Sequence, residues 1–390
     1  RNCVALNNVK LPSRIKTLSQ YTFDGCTIMD KITFAENGLE SIANTAFGRT
    51  AFTSMVLPEG LKSLGTSSTS GTGSVFYFCS RLESVTLPST LESISHSALY
   101  TGSYATTSGT VRPVLKNIYV KEGNKNFSSK DGVLFNGDGT ELLKYPVGRS
   151  SVNYEVPSGT KLIGQYAFGM ASGYYAPIQS VKLPATVTKI DQNAFKYNAT
   201  LVSINFSEGL TEIGTSAFES ATSLQNFTLP NSLVTLGKTA FKNAESLTTI
   251  SMPDRLVSIL DSTFESCGWL TTVDLNNVVS IGSKAFKDCA LTSISFPKAL
   301  RTLGTYAFQN NKLVSVEFPE NGALTSLPNY LFQDNTSLES IKIPAYIESF
   351  GNYIFDGCTG LEIVELGANS KLSKLGTYAF RDAESLLYFG

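Results

Sequence analysis

The sequence predicts a solenoid of about 14 regular coils, and three observations carry that reading. The first is a period. Residues 224–241, LQNFTLPNSLVTLGKTAF, return at 247–264 as LTTISMPDRLVSILDSTF, and Phe218, Phe241 and Phe264 follow each other at 23-residue intervals. Self-similarity at about 20–50 residues marks stacked units that bury a shared core only by piling up. The second is an anchor. It recurs fourteen times, at Phe23, Phe47, Phe76, Leu99, Phe168, Phe195, Phe218, Phe241, Phe264, Phe286, Phe308, Phe332, Phe355 and Phe380. The third is proline placement: ten of the fourteen prolines fall in one slot of the repeat, among them Pro184, Pro230, Pro253 and Pro344.

Each coil resolves into elements in order. A first segment such as Leu291, Ile294 and Phe296 ends in period-two alternation, which predicts a short strand with alternate side chains inward. The proline then ends the strand, because it has no N–H to donate. A second extended piece follows, as at Leu233 and Leu236, closed by a glycine such as Gly237 or Gly304 that permits a turn. The segment ending in Ala-Phe reads as one helical turn. Alanine precedes the anchor in nine copies, a small residue that lets coils approach. Strands of successive coils are expected to pair in parallel, about 4.8 Å apart. The chain as a whole, 1–390, is expected to be a single right-handed solenoid with an irregular unit at about 116–157.

LESVTLPSTLESISHSAL (82–99), LVSINFSEGLTEIGTSAF (201–218) and LESIKIPAYIESFGNYIF (338–355) resemble the BspA-like leucine-rich repeats of bacterial cell-surface proteins. The resemblance spans nearly the whole chain. Residues 124–157 resemble an element often interposed in that family. Read physically, Val133 to Phe135 and Leu142 to Tyr145 flank Asn136-Gly137-Asp138-Gly139, a hairpin with turn residues at its centre. The resemblance implies a secreted or surface location and adhesion to host proteins or other bacteria.

Composition excludes several classes. A net charge of −1 without a basic block leaves nucleic-acid binding without its electrostatic footprint. No apolar run reaches the roughly 18 residues a membrane span needs. The chain begins at Arg1 rather than Met, so an upstream segment is expected, and Arg1-Asn2 is a poor lipidation context for Cys3. Cys26, Cys79, Cys267, Cys289 and Cys358 each stand three residues after an anchor, where other coils carry Ala221, Ala244, Asn198 or Asn311. A slot that accepts alanine is a packing slot, so free buried thiols are expected. Cys267 and Cys289, in adjacent coils, are the regular neighbours able to pair. The cysteine spacing does not suit zinc. His96 is the single histidine, and no nucleophile motif accompanies it. Asp131 and Asp138 lie by a Gly-rich turn, but Val133 and Phe135 fill the places of calcium ligands. No catalytic centre, metal or cofactor is expected.

Two polar ladders should line the outer sheet face: Ser180, Ser203, Asn226, Thr249 and Thr272 in one, Lys182, Asn205, Thr228, Ser251 and Asp274 in the other. Insertions break the spacing between Leu64 and Phe76, within 100–113 and around 170–177. They hold tyrosines among Ser, Thr and Gly, a composition that supplies contact area at low entropy cost. Tyr100, Tyr104, Tyr174 and Tyr175 are therefore the expected contact residues. The expected function is adhesion or recognition of a host or bacterial surface protein or glycan, by a monomer. The alternative is a structural stalk that displays another domain.

Overall fold

The structure is a computed structural model describing residues 1–66, 73–102, 104–106, 109–111, 114–169 and 177–390, with backbone alone at 104–106 and 109–111. Parts of all three insertions lie outside the described residues. The backbone groups into two compact units, Arg1–Gln179 with Ala194–Asn198 and Ser180–Asn193 with Ala199–Gly390. Both are parallel-strand solenoids of the leucine-rich-repeat class, together about 16 turns.

In the first unit, strands Ser54–Val56, Ser84–Leu87 and Asn117–Val120 lie side by side in parallel. A second row joins Thr17–Leu18, Ser41–Ile42, Ser63–Leu64 and Ser93–Ile94. The second unit repeats this plan: Thr249–Ser251 pairs with Thr272–Asp274, and Ser258–Ile259 with Ser280–Ile281 and then Thr302–Leu303. Strand alternation buries Ile250 between exposed Thr249 and Ser251, as the period-two pattern requires. The anchors form stacked columns. Phe47 lies 5.9 Å from Phe76, and Phe218, Phe241, Phe264, Phe286 and Phe308 follow one another at 5.1 to 5.6 Å with nearly parallel rings.

The expected helical turn is not there. Two residues four apart, bracketing the anchor, take left-handed backbone: Thr239 and Asn243, Ser262 and Ser266, Lys284 and Asp288. Left-handed residues interrupt a right-handed helix. The N–H groups at those positions and at the anchor leave the coil instead. Thr239, Phe241 and Asn243 donate to the carbonyls of Asp261, Thr263 and Glu265, and the next coil repeats the arrangement. Neighbouring N–H groups close turns three residues back, as Ala240 does on Gly237.

Two further expectations change. Asn226 and Thr228 are not in a strand. The Asn226 side chain substitutes for the backbone there, its Oδ1 accepting from the Thr248 and Thr249 N–H groups at 2.9 and 3.1 Å. The irregular unit is three antiparallel strands rather than a two-stranded hairpin: Phe127–Lys130 pairs Val133–Asn136, which pairs Glu141–Lys144 through a bulge. Glu141–Lys144 then rejoins the solenoid in parallel with Leu162–Ile163. This unit also holds an anchor that the repeat pattern hides. Tyr145, fully buried, stacks 5.2 Å from Phe168 and donates its N–H to Ala167, as Phe168 does to Ala194.

Candidate functional surface

The left-handed position two residues before the anchor projects a side chain from the turn edge. In four successive coils of the second unit it is tyrosine: Tyr306, Tyr330, Tyr353 and Tyr378, with φ between 53° and 63°. Their ring centres follow one another at 4.4, 4.9 and 5.3 Å, the first two pairs stacked and the third tilted by 32°. Exposure increases to 58% at Tyr378. Desolvation by the stack pushes the Tyr330 hydroxyl pKa up, and neighbouring Tyr306 adds to it. Cations rim the column: the Arg381 guanidinium lies 5.0 Å from the Tyr353 ring centre and 5.9 Å from that of Tyr378, and Lys284 and Lys287 lie about 6 Å from that of Tyr306.

A polar row beside the column fixes it. Gln309 Nε2 donates to Gln333 Oε1 and Gln333 Nε2 to Asp356 Oδ2, both at 2.7 Å. Arg381 closes the row with two 2.7 Å bonds to the buried Asp356 carboxylate. A bidentate charge-assisted pair of this kind sets orientation as well as energy. The same unit exposes Trp269, the only tryptophan of the chain, to 70%. It follows Gly268, whose Cβ position meets nothing within 4 Å.

The expected contact tyrosines fare differently. Tyr100 is 2% exposed, so its ring faces inward and is closed to a partner. Ser74 Oγ donates to its carbonyl, locking the start of the insertion onto the preceding coil. Tyr104 lies in the strand Tyr104–Thr106, paired antiparallel with Gly109–Val111. Tyr174 and Tyr175 lie outside the described residues. Of the four, only the Tyr100 side chain falls among the described side chains.

The sheet face spends part of its polarity on itself. Ser251 Oγ bonds Asp274 at 3.3 Å, and Lys342 pairs with Glu365 across the coil boundary at 3.3 Å. All six cysteines are free, and five are buried. Their slot has a bonding role beyond packing: Cys79, Cys267 and Cys358 donate S–H to the carbonyls of Phe47, Phe241 and Phe332 in preceding coils. Asn311 and Asn335 reach Phe286 and Phe308 in the same way. Among the described residues no cluster of His, Cys, Asp and Glu could hold a metal ion, and no helix is long and apolar enough to cross a membrane.

A model of the BspA type leucine-rich-repeat region matches in 6 copies, over residues 1–121, 161–289 and 261–387. The chain belongs to this family. Comparison with curated proteins finds no match. Among solved structures, this BspA-type chain is similar to a leucine-rich repeat protein from Eubacterium ventriosum ATCC 27560, at 21% identity and TM-score 0.62 over 80% of this chain and 78% of that one. It also matches the pneumococcal vaccine antigen PcpA, at 20% identity and TM-score 0.47 over 80% and 68%. A third match is a leucine rich cell surface protein from Faecalibacterium prausnitzii A2-165, at 21% identity and TM-score 0.43 over 68% and 98%. At these identities the likeness establishes the fold alone.

The tyrosine column had a signal in the BspA-type repeat. Tyr-Ala-Phe, Tyr-Leu-Phe and Tyr-Ile-Phe end successive coils at Phe308, Phe332 and Phe355. A helical turn would send that tyrosine into an unremarkable surface position. Only the left-handed backbone aligns the rings.

Proposed function

We propose that this chain is a non-enzymatic recognition module, secreted or held at a bacterial surface, that binds a surface protein or glycan. The observation that carries the reading is the column Tyr306–Tyr330–Tyr353–Tyr378 with Arg381 against the rings of Tyr353 and Tyr378. Tyr and Arg are the residue types enriched at binding hot spots, and here both are held on a backbone fixed by the coil-to-coil ladder. The inserted loops remain a second proposed contact through Tyr104, Tyr174 and Tyr175. A structural spacer is the competing reading, favoured by the self-paired sheet face.

The test passes labelled protein over arrayed glycans and extracellular-matrix proteins. The proposal expects saturable retention that falls at least about tenfold in Tyr330→Ser/Tyr353→Ser, the scale of losing a hot-spot side chain. The melting temperature of that variant must be compared with the parent. Retention lost only in Tyr104→Ser/Tyr174→Ser/Tyr175→Ser moves the contact to the loops. No retention by the parent favours the spacer.

A further inference from the structure

A cleft of about 430 Å³ opens on the first unit, lined by Thr27, Arg49, Thr50, Ala51, Phe78, Ser80 and Arg81. Its origin is legible in the repeat. The corner between anchor and first strand is one residue shorter in the second coil (Phe47 to Met55) than in its neighbours (Phe23 to Ile32, Phe76 to Val85). Buried Ala51, in this shorter corner, lines the cleft. The volume is within the range of small-ligand sites, about 300–1,000 Å³.

Its chemistry is one-sided. Two guanidinium groups hold a single buried carboxylate beside the cleft, and a third, Arg81, lines it. Asp24, 1% exposed, takes Arg49 in a fork at 3.0 and 2.6 Å and Arg1 at 2.9 Å. Arg81 has no ion pair or hydrogen bond among the described residues, and nearby Glu83 is engaged by Lys116 at 3.1 Å. A surplus of positive charge therefore faces the cleft, with Arg81 available to a ligand. The Thr27 and Ser80 hydroxyls also make no side-chain hydrogen bond among the described residues. Phe78 adds a ring, backed by Tyr77 with ring centres 4.0 Å apart.

We infer that this cleft binds a carboxylate-bearing sugar residue of a glycan. A free guanidinium suits a planar carboxylate, which it can bind through two parallel bonds. Unused hydroxyls suit sugar hydroxyls, and an aromatic ring suits the C–H face of a pyranose. An acidic peptide would use the arginine but leave the two hydroxyls and the ring without a defined role. The cleft belongs to the first unit and the tyrosine column to the second, so either assignment can fail alone.

The test is titration of the intact chain with 3′-sialyllactose and methyl glucuronide, followed by calorimetry and by chemical-shift changes in the ligand. Lactose, galactose 6-sulfate and a Glu-rich hexapeptide serve as comparisons. The expected result is saturable binding of at least one acidic sugar, with lactose roughly tenfold weaker or worse. Arg81→Ala should weaken binding by about tenfold or more, the scale of one charge-assisted pair, with Arg81→Lys intermediate. Thr27→Ala/Ser80→Ala should weaken it severalfold. Arg81 is exposed, so its variants should melt with the parent. The assignment is overturned by absence of saturable binding, by equal affinity in Arg81→Ala, or by tighter binding of the sulfated sugar or the peptide.

Discussion

Lys144 occupies the slot before an anchor where most coils place alanine, and it is buried. Its Nζ donates to the carbonyls of Tyr166 at 2.9 Å and Gly169 at 3.1 Å. Burial pushes its pKa down to about 7 from 10.5. The consequence for stability has a definite sign. Below pH about 7 the amine is protonated in the folded and unfolded chain alike. Between that point and 10.5 the folded chain holds a neutral amine and the unfolded chain an ammonium. Unfolding then takes up a proton, and raising the pH favours the folded state. The buried thiols oppose this at higher pH, since burial pushes Cys79 up to about 11 and Cys358 up to about 12. The window for Lys144 is therefore about pH 7 to 8.5. Denaturant midpoints should rise across it in the parent, and Lys144→Met should flatten that contribution. Unchanged pH dependence in the variant would refute the assignment. The thiols give a second expectation: titration of unfolded, non-reduced protein should count close to 6 sulfhydryls. Cys267→Ala should cost about 1 kcal/mol, the scale of one hydrogen bond with a little packing. A count near two would mean disulfides.

At the scale of the coil, the anchor column and the ladder beside it support each other. Phe241 has parallel ring neighbours at 5.1 and 5.6 Å and no exposed surface. Phe241→Ala should cost roughly 3–5 kcal/mol through lost transfer energy and a residual cavity. Urea unfolding measures this, and a variant as stable as the parent would refute the stacking. Asn335 makes a comparable polar link, its Nδ2 donating at 2.9 Å to the carbonyls of both Phe308 and Phe332. Asn335→Ala should cost about 1–3 kcal/mol, because it removes the side-chain donor to the buried Phe308 carbonyl and the acceptor of the Leu313 N–H, whereas Asn335→Cys should recover part of the loss. The anchors, prolines and strand alternation were legible because burial and missing N–H groups act residue by residue. The turn edge was not, because Ala-Phe at the end of an apolar run fits a helix equally well. What excludes the helix is left-handed backbone at residues such as Lys284 and Tyr306, side chains that advertise no such preference. Tyr145 was hidden for a related reason: the irregular strands before it displace the spacing by which anchors are counted.

Across a whole unit, stability is a sum over coils and their boundaries, so damage to one coil propagates to its neighbours. In Phe241→Ala, hydrogen exchange should quicken first in the coils bearing Phe218 and Phe264, before coils farther along the second unit. Uniform acceleration would instead indicate all-or-none unfolding of that unit. The candidate contacts were only partly legible at this scale. Composition directs attention to the tyrosines of the insertions; the regular coils carry a tyrosine column of their own, and Tyr100 turns inward. The cleft depends on a one-residue difference between adjacent coils, which becomes a cavity only once they are stacked.

The turn edge has an electrical consequence. A carbonyl and the following N–H belong to one peptide group, so the bonds run in relay. Phe241 donates to Thr263, whose peptide carries the Phe264 N–H to Ala285; the Phe286 N–H reaches Ala307, and the Phe308 N–H reaches Leu331. Parallel relays run through Thr239 and Asn243. Three spines of head-to-tail peptide groups, all oriented alike, are also the wiring of an α-helix. Peptide dipoles of about 3.5 D therefore add along the stack, and each bond polarises the next. The segment that fails to be a helix along the chain reproduces a helix's macrodipole across it, positive toward the later coils.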